Sequence, residues 1–141
     1  MTANQKDEAA IQELIASQFA SLKWSSTQSA NWLTFEAGFV ADAQLFPAAR
    51  PVKPISVKSF ITRMETLKTD GVLTSFREMP GPIKILVIGQ VAVVVAGCEM
   101  VENEQAATRD ISVFLLVKDE GTWKIAAQGW DVVKDFQSVA P

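Results

Sequence analysis

The sequence predicts an α+β fold, in which N-terminal helices pack on a strongly curved antiparallel sheet. Two observations support this class. Apolar residues recur at three- and four-residue steps through the first half of the chain, whereas the second half holds long β-branched segments separated by tight turns. The length of 141 residues suits one core, and no linker or internal repeat divides the chain. We therefore expect a single domain over residues 1–141.

The helical half contains three predicted helices. The first lies between Lys6 and Lys23, where one face carries an apolar stripe of Ile11, Leu14, Ile15, Phe19 and Leu22. Ser29 is predicted to cap a short second helix, and Ser56 to cap a third that ends before Gly71. A short strand over 41–46 is expected between the second and third helices.

The second half is predicted to form an antiparallel meander of four strands. Gly89, Glu102 and Asp119 stand in the tight turns that separate them. The predicted strands are Phe76–Ile88, Val91–Val101, Arg109–Val117 and Trp123–Val133.

Both faces of the central strands are apolar. Residues 91–95 carry no polar side chain, and in the next strand Val113 and Phe114 stand on opposite faces. A sheet with one face in water should alternate polar and apolar residues, so both faces should be covered. Helices cover one face. We expect a homodimer through the outer sheet face to cover the other, with a folded-back C-terminal tail as the alternative.

Composition excludes several classes of partner. The net charge of −3 and the pI near 4.9 come without a basic patch, so we expect no nucleic-acid partner. No apolar run reaches the roughly 18 residues of a membrane span, and Met1–Asp7 is polar, so we expect no membrane association and no signal peptide. The single cysteine, Cys98, favours a reducing, cytoplasmic setting.

The chain contains no histidine and no tyrosine. This excludes Ser-His-Asp and Cys-His nucleophile pairs, and it excludes tyrosine as a general acid. Histidine-based zinc sites are excluded as well. No metal or cofactor is expected.

Two segments resemble the nuclear transport factor 2-like superfamily. Phe39-Val40-Ala41-Asp42-Ala43-Gln44-Leu45 is similar to its aromatic-x-x-Asp-Ala-x-apolar entry into the first strand. Gly121-Thr122-Trp123-Lys124-Ile125 is similar to its closing Gly-x-Trp-x-Ile strand, which here continues to Trp130. The resemblance implies a conical, cystatin-like α+β barrel. The superfamily includes ketosteroid isomerase, polyketide cyclases and scytalone dehydratase, so the fold does not determine the function.

The resemblance to ketosteroid isomerase does not extend to its catalytic groups. The proton-shuttling aspartate of that enzyme falls near Pro47, its oxyanion-hole acid on Val113 and its oxyanion-hole tyrosine at about Phe19. All three positions are apolar here, so steroid isomerisation by that mechanism is not expected. Scytalone dehydratase-type chemistry relies on histidines, which this chain lacks.

In this family the concave sheet face and the helices enclose a pocket. The resemblance therefore implies a mostly apolar lining with a few polar groups, as in many ligand sites, although a filled core is the alternative. The expected lining residues are Phe19, Phe60, Met64, Cys98, Met100, Arg109, Val113, Gln128 and Trp130. The expected partner is a small apolar or amphipathic molecule.

Three functions follow from these observations. The first is a small-molecule-binding domain without recognisable catalytic machinery. The second is an enzyme of the polyketide cyclase or isomerase kind that uses Asp42, the one carboxylate expected near the pocket entrance, as its base. The third is a dimeric assembly domain that works through its outer sheet face. The sequence leaves open whether the protein is an enzyme.

Overall fold

Three helices and six strands make up the fold in the computed structural model, which describes residues 1–139. The order follows the prediction closely, with one short strand, β2, that the sequence did not predict. The elements are α1 (Ala3–Ser21), α2 (Trp32–Ala37), β1 (Phe39–Phe46), β2 (Ile55–Ser56), α3 (Val57–Thr69), β3 (Phe76–Ile88), β4 (Val91–Glu102), β5 (Thr108–Asp119) and β6 (Thr122–Val133).

Side-chain caps determine where the helices begin. Thr2 and Gln5 form a capping box at the start of α1, three residues before the predicted start. The Ser56 hydroxyl accepts from the backbone N–H of Ser59, as the sequence predicts for α3. The predicted cap of α2 at Ser29 is wrong, because Asn31 Oδ1 accepts from the backbone N–H of Thr34 instead.

All six strands belong to one sheet, ordered β2-β1-β6-β5-β4-β3. The predicted meander is confirmed, because β3, β4, β5 and β6 pair consecutively and antiparallel. β1 pairs in parallel with β6 and carries an irregularity between Phe39 and Gln44. A second irregularity lies opposite Leu115 and Leu116, where β6 passes from Ile125 to Ala127. Such bulges bend strands and increase the curvature of a sheet.

The hydrophobic core lies between the helices and the inner face of the sheet. Ile11 and Ile15 of α1 are buried there with Val94, Phe114 and Ile125 of the sheet. Polar contacts also fix α1 to the sheet, since the Asp7 carboxylate accepts from Lys118 Nζ at 3.0 Å and from Trp123 Nε1 at 3.1 Å. The predicted α+β class is therefore confirmed.

The outer face of the sheet is covered only in part. The Phe136 ring packs against Gly97 and Gly81, where an added Cβ would meet ring atoms at 2.8 and 3.0 Å. The C-terminal segment thus covers one end of β3 and β4, as the folded-back alternative requires. The other end stays open, and its exposed side chains are apolar: Leu86, Ile88, Val91, Val93, Val113 and Leu115.

Two further predictions concern membrane-spanning helices and the bounds of the domain. Within residues 1–139, no helix has the length and apolarity needed to cross a membrane. The predicted single domain ends at residue 141, and residues 140–141 lie outside the described part of the chain.

The inward and outward faces can be tested with one isosteric substitution. Val94→Thr places a hydroxyl in the core, where Val94 is fully buried, and should lower the free energy of unfolding by about 1–3 kcal/mol. Val113→Thr makes the same change on the outer face, where Val113 is 49% exposed in the single chain, and should change the free energy of unfolding of the monomer by less than about 0.5 kcal/mol. Urea denaturation measures both. Equal losses would contradict the assignment of faces.

Candidate ligand-binding site

A cavity of about 340 Å³ lies between the helices and the inner face of the sheet. Its walls are mostly aromatic and aliphatic. Phe60 of α3 and Trp130 of β6 meet edge to face across one wall, with ring centroids 5.9 Å apart. Phe76 of β3 stacks on Trp24 at 4.9 Å. The volume lies at the lower end of the roughly 300–1,000 Å³ of ligand pockets, so a compact molecule would fill it.

Six of the predicted site residues line this cavity together. Each comes from the element and face that the sequence analysis assigned to it. They are Phe19 from α1, Phe60 and Met64 from α3, Met100 from β4, and Gln128 and Trp130 from β6. Their role in binding a ligand stays a prediction.

The predicted orientation of Arg109 and Val113 is wrong. Cys98 pairs with Asp110 across β4 and β5, so these two residues share the inner face and Arg109 points outward. The Arg109 guanidinium lies 3.9 Å from the Glu99 carboxylate on the outer face. The prediction had placed β5 one residue out of register, and such a slip moves every side chain of a strand to the opposite face.

Cys98 lies behind the cavity wall rather than in it. It is fully buried and does not border the cavity, in contrast to the prediction. Burial raises the pKa of its thiol, so it stays protonated and acts as a hydrogen-bond donor. Its Sγ lies 3.3 Å from Glu78 Oε2.

Asp42 does not stand at the cavity entrance. Ala43 and Leu45 of β1 point into the core, so the alternation of the strand turns Asp42 to the solvent. It is not part of the cavity wall. The prediction that Asp42 is the carboxylate nearest the pocket is therefore wrong.

Three carboxyl groups line the cavity, of which Glu102 is exposed, and the sequence analysis missed the two others. Asp110 lies on the inner face of β5, and Ser112 is the next residue on that face. Glu78 lies on β3, opposite Met100. Both faces of β5 are apolar farther along the strand, so its hydrophobic pattern did not reveal which face Asp110 occupies. The pairing of Cys98 with Asp110 is the signal that would have found it.

Glu78 is partly buried as a residue, and burial of its carboxyl group dominates its electrostatics. This burial disfavours the charged form, and the nearby Asp110 carboxylate adds repulsion, so the pKa of Glu78 rises from 4.5 to about 8. The hydrogen bond from Cys98 opposes this rise only in part. Glu78 is therefore a neutral acid at pH 7, with Oε1 buried and free of any hydrogen-bond partner among the described residues.

Asp110 is the second buried acid and is only 5% exposed. Burial raises its pKa from 3.8 to about 6, so it is mostly ionised at pH 7. Its Oδ1 has no hydrogen-bond partner within residues 1–139. Beside it, Gln128 Nε2 donates to Ser112 Oγ at 3.2 Å. The polar part of the cavity wall thus combines an acid, a carboxylate, a hydroxyl and an amide.

Carboxyl groups are also metal ligands, but they do not cluster here in the number that a metal site requires. In the described part of the chain, no three acidic or cysteine side chains come together as such a site.

Comparison with solved structures gives the fold. A cystatin-like protein of unknown function from Nostoc punctiforme superimposes with a TM-score of 0.71 at 15% identity, over 96% of each chain. A nuclear transport factor 2-like protein of unknown function from Pseudomonas putida also gives 0.71, at 12% identity, over 96% of this chain and 93% of its own. This chain has the nuclear transport factor 2-like fold.

An enzyme also occurs among the structures that share this fold. The hexachlorocyclohexane dehydrochlorinase LinA-type3 from Novosphingobium barchaimii superimposes with a TM-score of 0.68 at 12% identity, over 92% of this chain and 88% of its own. No family model matches the sequence, and no curated protein matches it significantly. At these identities the comparisons establish the fold and leave the function open.

The buried acid at Glu78 should make stability depend on pH. Between pH 4.5 and about 8 the unfolded chain loses this proton while the folded chain keeps it, so folding is progressively destabilised as the pH rises. Glu78→Gln removes the titrating group. The difference in the free energy of unfolding between this variant and wild type should therefore be about 2–4 kcal/mol more favourable to the variant above pH 8 than below pH 4.5.

Urea denaturation across this pH range measures the difference. Glu13→Gln on the exposed face of α1 removes the same formal charge and should follow the wild-type profile. A Glu78→Gln profile parallel to that of wild type would show that Glu78 is ionised in the folded protein.

Proposed function

We propose that the protein binds a compact, largely apolar molecule in the cavity between the helices and the sheet. The observation that carries this proposal is the wall itself, in which aromatic and aliphatic side chains surround a small set of buried polar groups. The Oδ1 atom of Asp110 and the Oε1 atom of Glu78 have no partner among the described residues. Buried polar groups are normally hydrogen-bonded, so a bound molecule with donor groups would satisfy them. The single buried cysteine fits the cytoplasmic setting favoured by the sequence.

Catalysis is the second candidate, and the raised pKa values of Glu78 and Asp110 favour it. Acids and bases with perturbed pKa values in a cavity are frequent in active sites. One structural neighbour is named as a dehydrochlorinase, so this fold occurs in enzymes. In this version Asp110, and not Asp42, would be the base. Recovery of a bound compound unchanged after incubation indicates a binding protein, whereas a converted compound indicates an enzyme.

Assembly as a homodimer is proposed for the outer face of the sheet. Its exposed apolar side chains are contiguous, because Leu86 pairs with Val93 and Val93 pairs with Leu115 across neighbouring strands. The C-terminal segment covers Gly97 and leaves this area open. An extensive apolar patch on a sheet face suits an isologous contact with a second copy, in which the same side chains meet.

Ligand binding can be tested with 2-naphthol, a neutral compound of suitable size, by isothermal titration calorimetry. Trp130→Ala removes the largest ring of the wall and should weaken binding about tenfold. Arg109→Ala is the control, because Arg109 points to the outer face, and should leave the affinity within about twofold. Phe60→Leu, in the ring that meets Trp130 edge to face, provides a milder second variant. Equal affinity in all the proteins would place the binding site elsewhere.

Dimerisation can be tested by analytical ultracentrifugation. Leu115→Lys introduces a charge where the side chain is 46% exposed on the proposed interface, and it should convert a wild-type dimer to a monomer. Leu33→Lys makes the same change on α2, where Leu33 is 86% exposed, and should stay dimeric. A wild-type protein that sediments as a monomer would overturn the dimer proposal.

A further inference from the structure

The polar side of the cavity carries negative charge without a matching cation. The ion pairs among the described residues join Arg77 to Glu104, Arg109 to Glu99 and Lys118 to Asp7, and none includes Glu78 or Asp110. Buried charges in proteins are normally paired, because an isolated buried ion is strongly destabilising. The Asp110 carboxylate is 5% exposed, and its Oδ1 has no hydrogen-bond partner among the described residues. A buried carboxylate in this position requires a cation beside it, and the described residues supply none.

The strand register brings the two carboxyl groups to one area of the wall. Asp110 on β5 pairs with Cys98 on β4, and Cys98 pairs with Pro80, two residues from Glu78 on β3. Cys98 Sγ donates to Glu78 Oε2 at 3.3 Å from the strand between them. The two acids thus flank one buried thiol and point into the same cavity.

Few other charged groups face this area. From α3, Arg63 borders the cavity but is exposed, and from the end of β4 the Glu102 carboxylate borders it and is exposed as well. α1 contributes the neutral amide of Gln18. Within the described residues the buried interior of the cavity therefore holds acidic groups and no basic one.

Aromatic rings complete the surroundings. Phe76 lies two residues before Glu78, on the same face of β3. Trp130 of β6 pairs with Ser112, which itself lies two residues after Asp110 in β5. The faces of such rings attract cations, and the attraction strengthens when the cation is removed from water. Acids beside aromatic rings suit one class of functional group, the ammonium ion.

We propose that the ligand is a compact amine whose ammonium group binds between Glu78 and Asp110 and whose apolar body contacts the aromatic wall. This inference rests on the proposed binding function and adds the chemical class of the ligand. The ammonium supplies hydrogen-bond donors to the unpartnered Oε1 and Oδ1 atoms and neutralises the buried charge. A carboxylate ligand is disfavoured by the same arrangement.

Binding of an amine is coupled to the release of a proton. Burial and the Asp110 charge raise the pKa of Glu78 to about 8, so Glu78 carries a proton at pH 7 in the free protein. An ammonium ion beside it favours the carboxylate, and the proton leaves to solvent. The affinity for an amine should therefore rise between about pH 6 and pH 8, while an alkylamine itself stays charged to about pH 10.

The test compares three ligands that share one phenyl body: 2-phenylethylamine, 2-phenylethanol and 3-phenylpropionate. Calorimetry near pH 8, where Glu78 is half ionised, should show the amine binding about tenfold or more tightly than the alcohol, and the acid most weakly. At pH 7, repeating the amine titration in two buffers of different ionisation enthalpy should reveal proton release.

Matched variants assign the preference to the two acids. Asp110→Asn should reduce the preference for the amine over the alcohol about tenfold, and Glu78→Gln should abolish the proton release. Glu99 follows Cys98 in β4 and lies on the outer face of the sheet. Glu99→Gln should therefore change neither the preference for the amine nor the proton release. If Asp110→Asn does not fold, the test rests on the comparison of proton release between wild type and Glu78→Gln.

The outcomes separate this inference from the proposed function. Equal or tighter binding of the alcohol or the acid would overturn the amine proposal and leave the binding function intact. Binding of 2-naphthol without binding of any of the three phenyl compounds would likewise overturn the amine proposal and leave the binding function intact. If 2-naphthol also fails to bind, both proposals are overturned. An amine preference that survives Asp110→Asn would place the ammonium site elsewhere.

Discussion

The register between β4 and β5 is the constraint on which the rest of this structure depends. It places Cys98 opposite Asp110 and Val95 opposite Val113. As a result, Phe114 and Leu116 enter the core, Asp110 and Ser112 enter the cavity, and Val113 and Leu115 form the outer patch. The turn that connects β4 and β5 is held to the segment before β3. Asn103 in it adopts a positive φ of 53°, its Oδ1 accepts from the backbone N–H of Thr74 at 2.8 Å, and its Nδ2 donates to the Val72 carbonyl at 2.9 Å.

The same register has an electrostatic cost that the surrounding core offsets. It holds Asp110 at the inner face, and the pairing of β3 with β4 holds Glu78 there. Both acids lie next to apolar walls that cannot solvate their charges. Glu78 responds by keeping its proton, and Asp110 by a smaller rise of its pKa. A purely structural domain would gain stability from apolar residues at these positions. Their presence in a cavity is the observation that most favours the proposed binding of a ligand with a polar group.

The fold could be predicted from the sequence because its signals are local. The apolar stripe of α1, the Ser56 cap and the turns at Gly89 and Gly121 each determine an element without reference to the rest of the chain. The helical side of the cavity, with Phe19, Phe60 and Met64, was implied by the family resemblance and not by these local signals. The orientation of β5 did not follow from these signals either, because Val113 to Leu116 are apolar on both faces and only the pairing with β4 decides between them. Asp110 was missed for that reason. Glu78 lies on β3, and its face is given by the pairing of that strand with β4, where Glu78 stands opposite Met100.

The central claim is that two acids without an ion-pair partner among residues 1–139 face the interior of the cavity. A pH titration of the carboxyl carbon shifts by NMR tests it most directly. The structure predicts two late-titrating groups, Asp110 near pH 6 and Glu78 near pH 8, with Glu78→Gln leaving Asp110 as the single late group of the pair. Titration of both residues near their ordinary values of 3.8 and 4.5 would show that water or another partner reaches them, and would contradict the account.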